Sequence, residues 1–256
     1  PTTDPIGTPD ILLMRSDDVV VFDNISGMLT LITHANPQEV GSLEVAIERL
    51  DDMASDLGMA LDPTAFQPRS TRPIADQDYR YSLSQEAFQT AVEAVKDYIH
   101  AGDLMQAVLS KRITVPYAES PMSLYRALRV SNPSPYMYFF NLDETHIVGA
   151  SPEILARLED GVVSVRPIAG TRPRGRTLEE DQALEAELLN DPKERAEHLM
   201  LIDLGRNDVG RVAQTGSVVV TDQMAVESYS LVMHIVSHVE GRVRSDLSAI
   251  DVLKAC

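Results

Sequence analysis

Apolar side chains recur at the spacing of one helix face in two segments of the first half of the chain. The first segment is residues 37–57, which follow Asn36 and carry Glu39 where a capping-box carboxylate belongs. The second follows Ser84, a good N-cap residue, and ends before Gly102, which suits the left-handed residue that closes many helices. Both segments are therefore predicted to be helices that pack one face against a core.

Short runs of apolar and β-branched residues predict strands, several of them joined by tight turns. The predicted strands are residues 11–14, 19–22, 29–33, 104–113, 136–140, 162–165 and 231–239. Residues 58–80 hold three prolines among polar residues and show no periodicity. They indicate a surface connection between two parts of the fold.

Residues 191–205 predict a helix that carries two carboxylates on one face. Asp191 is a good N-cap, and Gly205 is expected to end the helix. Glu194 and Glu197 stand one turn apart, so their side chains point the same way. Such oxygen donors suit Mg²⁺, which keeps several waters and bridges carboxylates to an anionic substrate. In an arbitrary helix, however, a capping Glu194 and a solvated Glu197 would be the commoner explanation.

A Gly- and Arg-rich turn is predicted at residues 166–176, directly after a strand. Gly170 lets a ligand approach the backbone, Thr171 offers a hydroxyl, and the arginines can pair with carboxylates. The turn lacks the spacing of a P-loop or a dinucleotide fingerprint. Taken alone, it fits either an anion site or a solvated basic loop.

Composition narrows the class of protein without identifying it. The 256 residues are 44% hydrophobic, enough for a substantial core, and the net charge of −17 argues against nucleic acid as a partner. The single cysteine, Cys256, excludes an internal disulfide framework. No secretory signal or apolar run of membrane-spanning length is present in the sequence. We therefore expect a cytoplasmic protein with no membrane partner.

Three sequences together resemble the chorismate-binding enzyme family, and within it the branch whose large subunits form anthranilate. They are PIAGTRPRG (167–175), DPKERAEHLMLIDLGRND (191–208) and ESYSLVMHIVSHVEG (227–241). The resemblance implies an α+β fold of antiparallel β-sheets with helices packed outside, incomplete at both ends. It also implies two parts: residues 1–80, the end of an N-terminal part with the proline-rich crossover, and residues 81–256, the catalytic region truncated at its C-terminus.

The resemblance implies that ammonia attacks C2 of chorismate. Family members that add water carry a lysine at the position of Gln106, and an amide cannot act as a base. Related members that form a covalent amine intermediate carry a lysine at the position of Ala169, where this chain has a methyl group. Without the family, Gln106 would more simply be a residue that hydrogen-bonds a neighbouring strand.

The same resemblance implies the acid and base of the reaction. Glu153 matches the glutamate that protonates the departing C4 hydroxyl, a role that needs a pKa raised by burial. His234 matches the histidine that supports loss of the C2 proton and of pyruvate, which yields anthranilate. In isolation, Glu153 would be taken for a surface charge and His234 for a hydrogen-bonded core histidine. His198 is interpreted as structural.

For cofactor and partners, the resemblance implies Mg²⁺ on the C1 carboxylate of chorismate, with Glu197 as direct ligand and Glu194 acting through water. Gly170 and Thr171 would contact the same end of the ring. Ammonia would come from a separate glutamine amidotransferase subunit, since the chain contains no amidotransferase sequence. The reaction that the resemblance implies is a carbon–oxygen lyase step of tryptophan biosynthesis.

A further segment resembles one wall of the family's tryptophan feedback pocket. Its residues are Asn132, Pro133, Ser134, Pro135, Tyr136 and Met137. We expect tryptophan to inhibit the protein through them. The same sequence also serves as a turn before the strand 136–140, and both roles are compatible.

Two alternatives stay open at this point. One is amination without loss of pyruvate, which gives 2-amino-2-deoxyisochorismate. The other is a scaffold that docks an amidotransferase or holds tryptophan without turnover. Because the sequence starts at Pro1 and stops at Cys256 inside an apolar run, we expect part of a longer chain that is inactive by itself.

Overall fold

The computed structural model describes residues 6–62 and 72–256 and divides into two compact units, Pro1–Ser120 and Pro121–Cys256. This division falls later in the chain than the boundary predicted at residue 80. Part of the predicted crossover, residues 63–71, lies outside the described residues.

The described residues of unit 1, 6–62 and 72–120, form two antiparallel strand pairs and two long helices. Its elements are β1 Asp18–Phe22, β2 Leu29–Thr33, α1 Ser42–Gly58, a 3₁₀ turn Asp76–Asp78, β3 Arg80–Tyr81, α2 Gln85–Ala101 and β4 Ile113–Thr114. Strand β1 pairs with β2, and β3 pairs with β4. The strands predicted at 19–22 and 29–33 are confirmed, whereas residues 11–14 are not a strand.

The two predicted helices of unit 1 differ at their starts. Helix α2 begins as predicted: the Ser84 hydroxyl accepts a hydrogen bond from the Ala87 amide, and Gly102 closes the helix at φ +82°. Helix α1 does not begin at residue 37. The Asn36 side chain accepts from the Gln38 amide and forms a turn, so the helix starts only after Gly41.

The predicted strand 104–113 is wrong over most of its length. Only its last residue belongs to a strand, β4, which pairs with β3. A strand needs a partner for its backbone groups, and β3 supplies one over two residues only. Gln106 therefore lies in an irregular segment, and the period-two face predicted for it is not formed.

Unit 2 contains a five-stranded antiparallel sheet, a separate hairpin and four helices. Its elements are α3 Pro121–Ser131, β5 Tyr136–Leu142, β6 Thr145–Ser151, β7 Arg157–Glu159, β8 Val162–Val165, β9 Ile168–Pro173, α4 Leu178–Asn190, α5 Pro192–Val212, β10 Val219–Ser228, β11 Val232–Arg242 and α6 Ala249–Ala255. The sheet order is β10-β11-β8-β7, and β5 pairs with β6 to form the hairpin.

One long strand organises the sheet of unit 2. The first half of β11 pairs with β9 and its second half with β8, so both short strands lie along the same edge of β11. Helix α5 packs across this sheet and contacts β8, β9, β10 and β11. The α+β arrangement of antiparallel sheets with helices outside, predicted from the resemblance, is confirmed.

The core of unit 2 lies between α5 and the sheet. Val163, Val209 and Val239 are fully buried there. Helix α5 does not end at Gly205 as predicted but runs on to Val212. A Cβ at residue 205 would lie 2.9 Å from Val165 Cγ2, so this glycine permits close packing of helix on strand instead of ending the helix.

Among residues 6–62 and 72–256, no helix combines the length and apolar character needed to cross a bilayer.

Candidate active site

The segment predicted as a Gly- and Arg-rich turn is mostly strand β9, and it contains a bulge. Thr171 and Ala169 pair with consecutive residues of β11, so Gly170 between them is an extra residue on its strand. Its φ of +70° favours glycine. A Cβ at this position would lie 3.1 Å from Leu188 Cδ1 and 3.2 Å from Ile235 Cδ1. The bulge therefore depends on glycine for both conformation and space.

The bulge holds the imidazole of His234. The Nδ1 atom lies 3.1 Å from the Gly170 carbonyl oxygen and 3.1 Å from Thr171 Oγ1. Because a carbonyl can only accept, Nδ1 carries the proton, and the lone pair of the neutral ring is on Nε2. The ring of Tyr229 lies edge-on to the imidazole, with 5.6 Å between centroids. The orientation and tautomer of His234 are thus fixed by its neighbours.

Glu153 lies between β6 and β7 and belongs to the exposed residues, not to the buried ones as its role had implied. Partial removal of water by its surroundings nevertheless raises the pKa of its carboxyl above the usual value. The Ile168 amide and the charges of Arg166 and His234 act in the opposite direction. Glu153 and His234 are therefore close enough to interact electrostatically, and they form one site.

Glu194 reaches the same bulge from α5. Its Oε2 would lie 3.4 Å from a Cβ on Gly170, and its side chain is 17% exposed. The N-cap is confirmed, because Asp191 Oδ1 accepts from the Lys193 and Glu194 amides. The Asp191 amide itself donates to a carbonyl of the preceding helix, α4, so the carboxylate of Glu194 is not needed as a cap. It is directed toward the sheet instead.

Glu194 and Glu197 are the two carboxylates predicted to bind Mg²⁺. Glu197 is half-buried one helical turn after Glu194. In the described parts of the chain, no three His, Cys, Asp or Glu side chains come together as a metal cluster. Two carboxylates on one helix face match the needs of Mg²⁺, which takes few protein ligands and fills its shell with water and substrate oxygens. The same two carboxylates would be too few for a dedicated all-protein cage.

The segment resembling a feedback site lies between α3 and β5, and its first half adjoins His234. The Ser134 hydroxyl donates to the Ser151 carbonyl across the β5–β6 hairpin. Asn132 and Ser134 line a cavity of about 160 Å³ that also contains Tyr229 and His234. Tyr136 and Met137 belong to β5.

Gln106 belongs to unit 1, in the irregular segment described above.

A cluster beside the site was not predicted. Arg166 forms an ion pair with Glu227, and its guanidinium also donates to Tyr229 Oη at 3.4 Å. Tyr229 Oη donates to Glu227 Oε2 at 3.1 Å. Glu227 and Tyr229 lie within one of the motifs that carry the family resemblance, and Arg166 directly precedes another, which was the available sign of their importance. Their pairing depends on strand register and is not visible in the sequence.

His198 is structural, as interpreted from the sequence. It is fully buried, its Nε2 lies 2.7 Å from Ser237 Oγ, and burial lowers the pKa of the imidazole. The Ser237 hydroxyl also accepts from the Met224 amide at 2.9 Å. His198 thereby connects α5 to β10 and β11 through one serine.

Comparisons with known proteins agree with this geometry. The family model described as chorismate binding enzyme matches residues 2–256. Anthranilate synthase component 1 of Pseudomonas putida is 52% identical over 255 residues, which are 100% of this chain and 52% of that protein. The component 1 protein of Neisseria meningitidis serogroup B is 50% identical over 253 residues, 98% of this chain and 50% of that protein. The chain spans about half the length of the curated relatives it matches.

Solved structures give the same result. Anthranilate synthase component I from Streptococcus pneumoniae TIGR4 superposes with a TM-score of 0.88 at 40% identity, covering 98% of this chain and 55% of that one. The menaquinone-specific isochorismate synthase MenF from Escherichia coli superposes with a TM-score of 0.66 at 16% identity, covering 90% of this chain and 52% of that one. The second likeness shows a shared fold only.

Proposed function

We propose that this chain, which belongs to the chorismate-binding enzyme family, supplies the chorismate site of an anthranilate synthase large subunit. The observation that carries the proposal is the convergence of Glu153, His234, the Gly170 bulge and Glu194 in unit 2. The reaction is amination of chorismate at C2 with loss of the C4 hydroxyl, followed by elimination of pyruvate.

Glu153 is the proposed general acid. Hydroxide is a poor leaving group, so the C4 oxygen must receive a proton as the C–O bond breaks. The raised pKa of Glu153 keeps a fraction of the carboxyl protonated at higher pH than an ordinary glutamate. Its exposed position supports access to a substrate from the solvent side.

His234 is the proposed base of the second half-reaction. With Nδ1 donating to the bulge, Nε2 is the basic atom of the neutral ring. Abstraction of the C2 proton by Nε2 leaves electrons that form the aromatic ring as the enolpyruvyl C–O bond breaks. The proton acquired by the imidazole is stabilised by the contacts that Gly170 and Thr171 already make with Nδ1.

Glu197 and Glu194 are the proposed Mg²⁺ ligands, the first direct and the second through water. When bound, Mg²⁺ neutralises the C1 carboxylate of chorismate next to the carbon under attack. The Gly170 bulge and the Thr171 hydroxyl orient the same end of the ring. A Lys193 ammonium 3.8 Å from Glu194 Oε1 adds positive charge at the start of the helix.

Gln106 and Ala169 support ammonia as the nucleophile. The family lysines that activate water or attack the ring covalently are absent at these two positions, which favours ammonia as the nucleophile. The relatives' name, component 1, supports a second subunit, and we propose a glutamine amidotransferase that delivers ammonia in the cytoplasm. Tryptophan inhibition through residues 132–137 is part of the same proposal, supported by the cavity that Asn132, Pro133 and Ser134 share with His234.

Product analysis of the full-length protein with chorismate, Mg²⁺ and high ammonium tests the proposal. Anthranilate and pyruvate in equal amounts are expected by fluorescence and mass. A product that retains the enolpyruvyl group would replace the proposal with simple amination. Absence of any Mg²⁺-dependent turnover would contradict catalysis altogether.

The Glu153→Gln variant tests the assigned acid. We expect kcat/KM for chorismate to fall by roughly 10² to 10⁴, the usual contribution of general acid catalysis. Glu159→Gln is the matched control, because Glu159 is an exposed acid on β7 whose partner is Arg157 at 2.6 Å. Equal activity of both variants would remove Glu153 from the mechanism.

A further inference from the structure

Arg166 acts on Glu153 through its charge, while its hydrogen bonds are made to other groups. It lies in the connection between β8 and β9, and its side chain is 16% exposed. One guanidinium nitrogen donates to the Pro152 carbonyl at 3.4 Å, next to Glu153 in the chain. The other forms the ion pair with Glu227 and the bond to Tyr229. An arginine at this place would otherwise be a partner for Glu153.

Glu227 is held as an anion by this arrangement. Its partial burial by itself would raise its pKa, but the hydrogen bonds from Arg166 and Tyr229 outweigh burial and lower it. Glu227 therefore offsets the positive charge of Arg166 throughout the range in which Glu153 titrates. The electrostatic effect of Arg166 on the Glu153 carboxyl is correspondingly weakened.

Tyr229 connects the ion pair to the imidazole. Its hydroxyl belongs to the Arg166–Glu227 pair, while its ring lies edge-on to His234 with an interplanar angle of 63°. The ring thus packs against the imidazole whose Nδ1 contacts the Gly170 bulge. One cluster thus contacts the base directly and adjoins the acid through Pro152.

We propose that Arg166, Glu227 and Tyr229 act together as a positioning cluster, in which Glu227 withholds Arg166 from Glu153 and Tyr229 holds His234 in its working orientation. The inference rests on the proposed function, since it concerns the acid and base assigned there. It assigns no contact with substrate to any of the three residues.

Several other charged or titratable groups surround Glu153, but they are not part of the cluster. His234 faces it from β11, while Asp208 of α5 and Cys256 line the same cavity of about 410 Å³. Asp208 is paired with Arg211 at 3.4 Å, and His238 adds positive charge beside Glu227. Of the groups that act on Glu153, Arg166 alone has an acidic partner in the cluster, Glu227.

The sign of the expected pH effect follows from the role of Glu153. A general acid must be protonated, so kcat/KM falls as pH rises through its pKa. Glu227→Gln leaves Arg166 without its counter-charge, which lowers the pKa of Glu153 and moves the alkaline limb to lower pH. Arg166→Met removes the cation and moves the same limb to higher pH. Each shift is expected to be about one pH unit, the lower end for a single charge at short range.

The experiment is a pH profile of kcat/KM for chorismate in the full-length enzyme at saturating Mg²⁺, with total ammonium adjusted to keep free ammonia constant. We expect Glu227→Gln and Arg166→Met to shift the alkaline limb of kcat/KM in opposite directions. If these residues had only a structural role, the two shifts would not have opposite signs. Glu187→Gln is the matched control, since it neutralises an acid of another arginine pair, Arg172–Glu187 at 2.8 Å. This control is expected to leave the limb in place.

A second readout does not depend on turnover. The ¹³C resonance of the Glu153 carboxyl, assigned by its loss in Glu153→Gln, gives the pKa directly in each variant. Shifts of that pKa in opposite directions would support the cluster even if no anthranilate formed, in which case the proposed function alone would fail. Unshifted titrations in folded Glu227→Gln and Arg166→Met proteins would overturn the cluster while leaving the proposed function intact.

Discussion

The two units of this chain use similar local sequence patterns and reach different degrees of burial. Helices α1 and α2 of unit 1 are amphipathic, yet among the described residues of that unit Ala46 is the one apolar side chain in the buried class. In unit 2, α5 and β11 bury many apolar side chains almost completely. Helices α1 and α2 therefore form without close packing, whereas Glu153, His234 and the Gly170 bulge lie in the unit whose packing is dense.

The largest effect that tests this comparison is expected from paired truncations of isoleucine. Ile235 is fully buried on β11, and Ile47 is 49% exposed on α1. Ile235→Ala should lower the free energy of unfolding by about 2 to 5 kcal/mol through lost burial and a cavity. Ile47→Ala should change it by less than about 1 kcal/mol.

Urea denaturation of this 256-residue chain, followed by far-UV circular dichroism, measures both changes. Equal losses of stability in the two variants would break the comparison, since they would mean that α1 is as tightly packed as the sheet of unit 2.

An intermediate effect is expected from two glycines with positive φ. Gly170 at +70° is surrounded by side chains, whereas Gly102 at +82° has open space around its Cα. Alanine at either position carries the left-handed backbone penalty of about 1 to 2 kcal/mol. Gly170→Ala adds steric contact with Leu188 and Ile235, and it displaces the support of His234.

Thermal melts and steady-state kinetics separate these contributions. Gly102→Ala should lower the melting temperature but leave kcat unchanged, whereas Gly170→Ala should lower both. A Gly170→Ala enzyme with wild-type kcat would show that the bulge does not position His234.

The smallest effect is expected at the start of α2. Ser84→Ala removes the hydroxyl that accepts from the Ala87 amide, at a cost of about 1 kcal/mol in helix stability. Ser84→Asp is the matched control, because an aspartate caps as well as a serine. Hydrogen exchange of the first turn of α2 should increase in the alanine variant only; protection in both would mean that tertiary packing, not the cap, holds this end.

Elements of the fold were predictable where a local sequence signal, such as a helix cap, agreed with the packing found in the structure. Ser84 and Gly102 fixed both ends of α2, and Asp191 fixed the start of α5. The strand containing His234 was predicted because its apolar residues are both β-rich and buried. The α+β class was predicted from the family resemblance, which the three motifs carry, and not from periodicity.

The remainder required long-range information. Residues 104–113 look like a strand, but their partner β3 is two residues long. Gly205 looks like a helix end, but close packing on Val165 keeps the helix continuous. The Gly170 bulge and the Arg166–Glu227 pair exist only through the register of β9, β10 and β11, which no local pattern determines.

The register of β11 determines both the position of His234 and the burial of its apolar neighbours. His234 lies between the buried residues Met233 and Ile235, so slipping β11 by one position would bury an imidazole and expose an isoleucine together. Cellular proteases that degrade misfolded chains would then also degrade chains in which His234 is misplaced. Errors of alignment at this strand are therefore expected to appear as lost protein rather than as a slow enzyme.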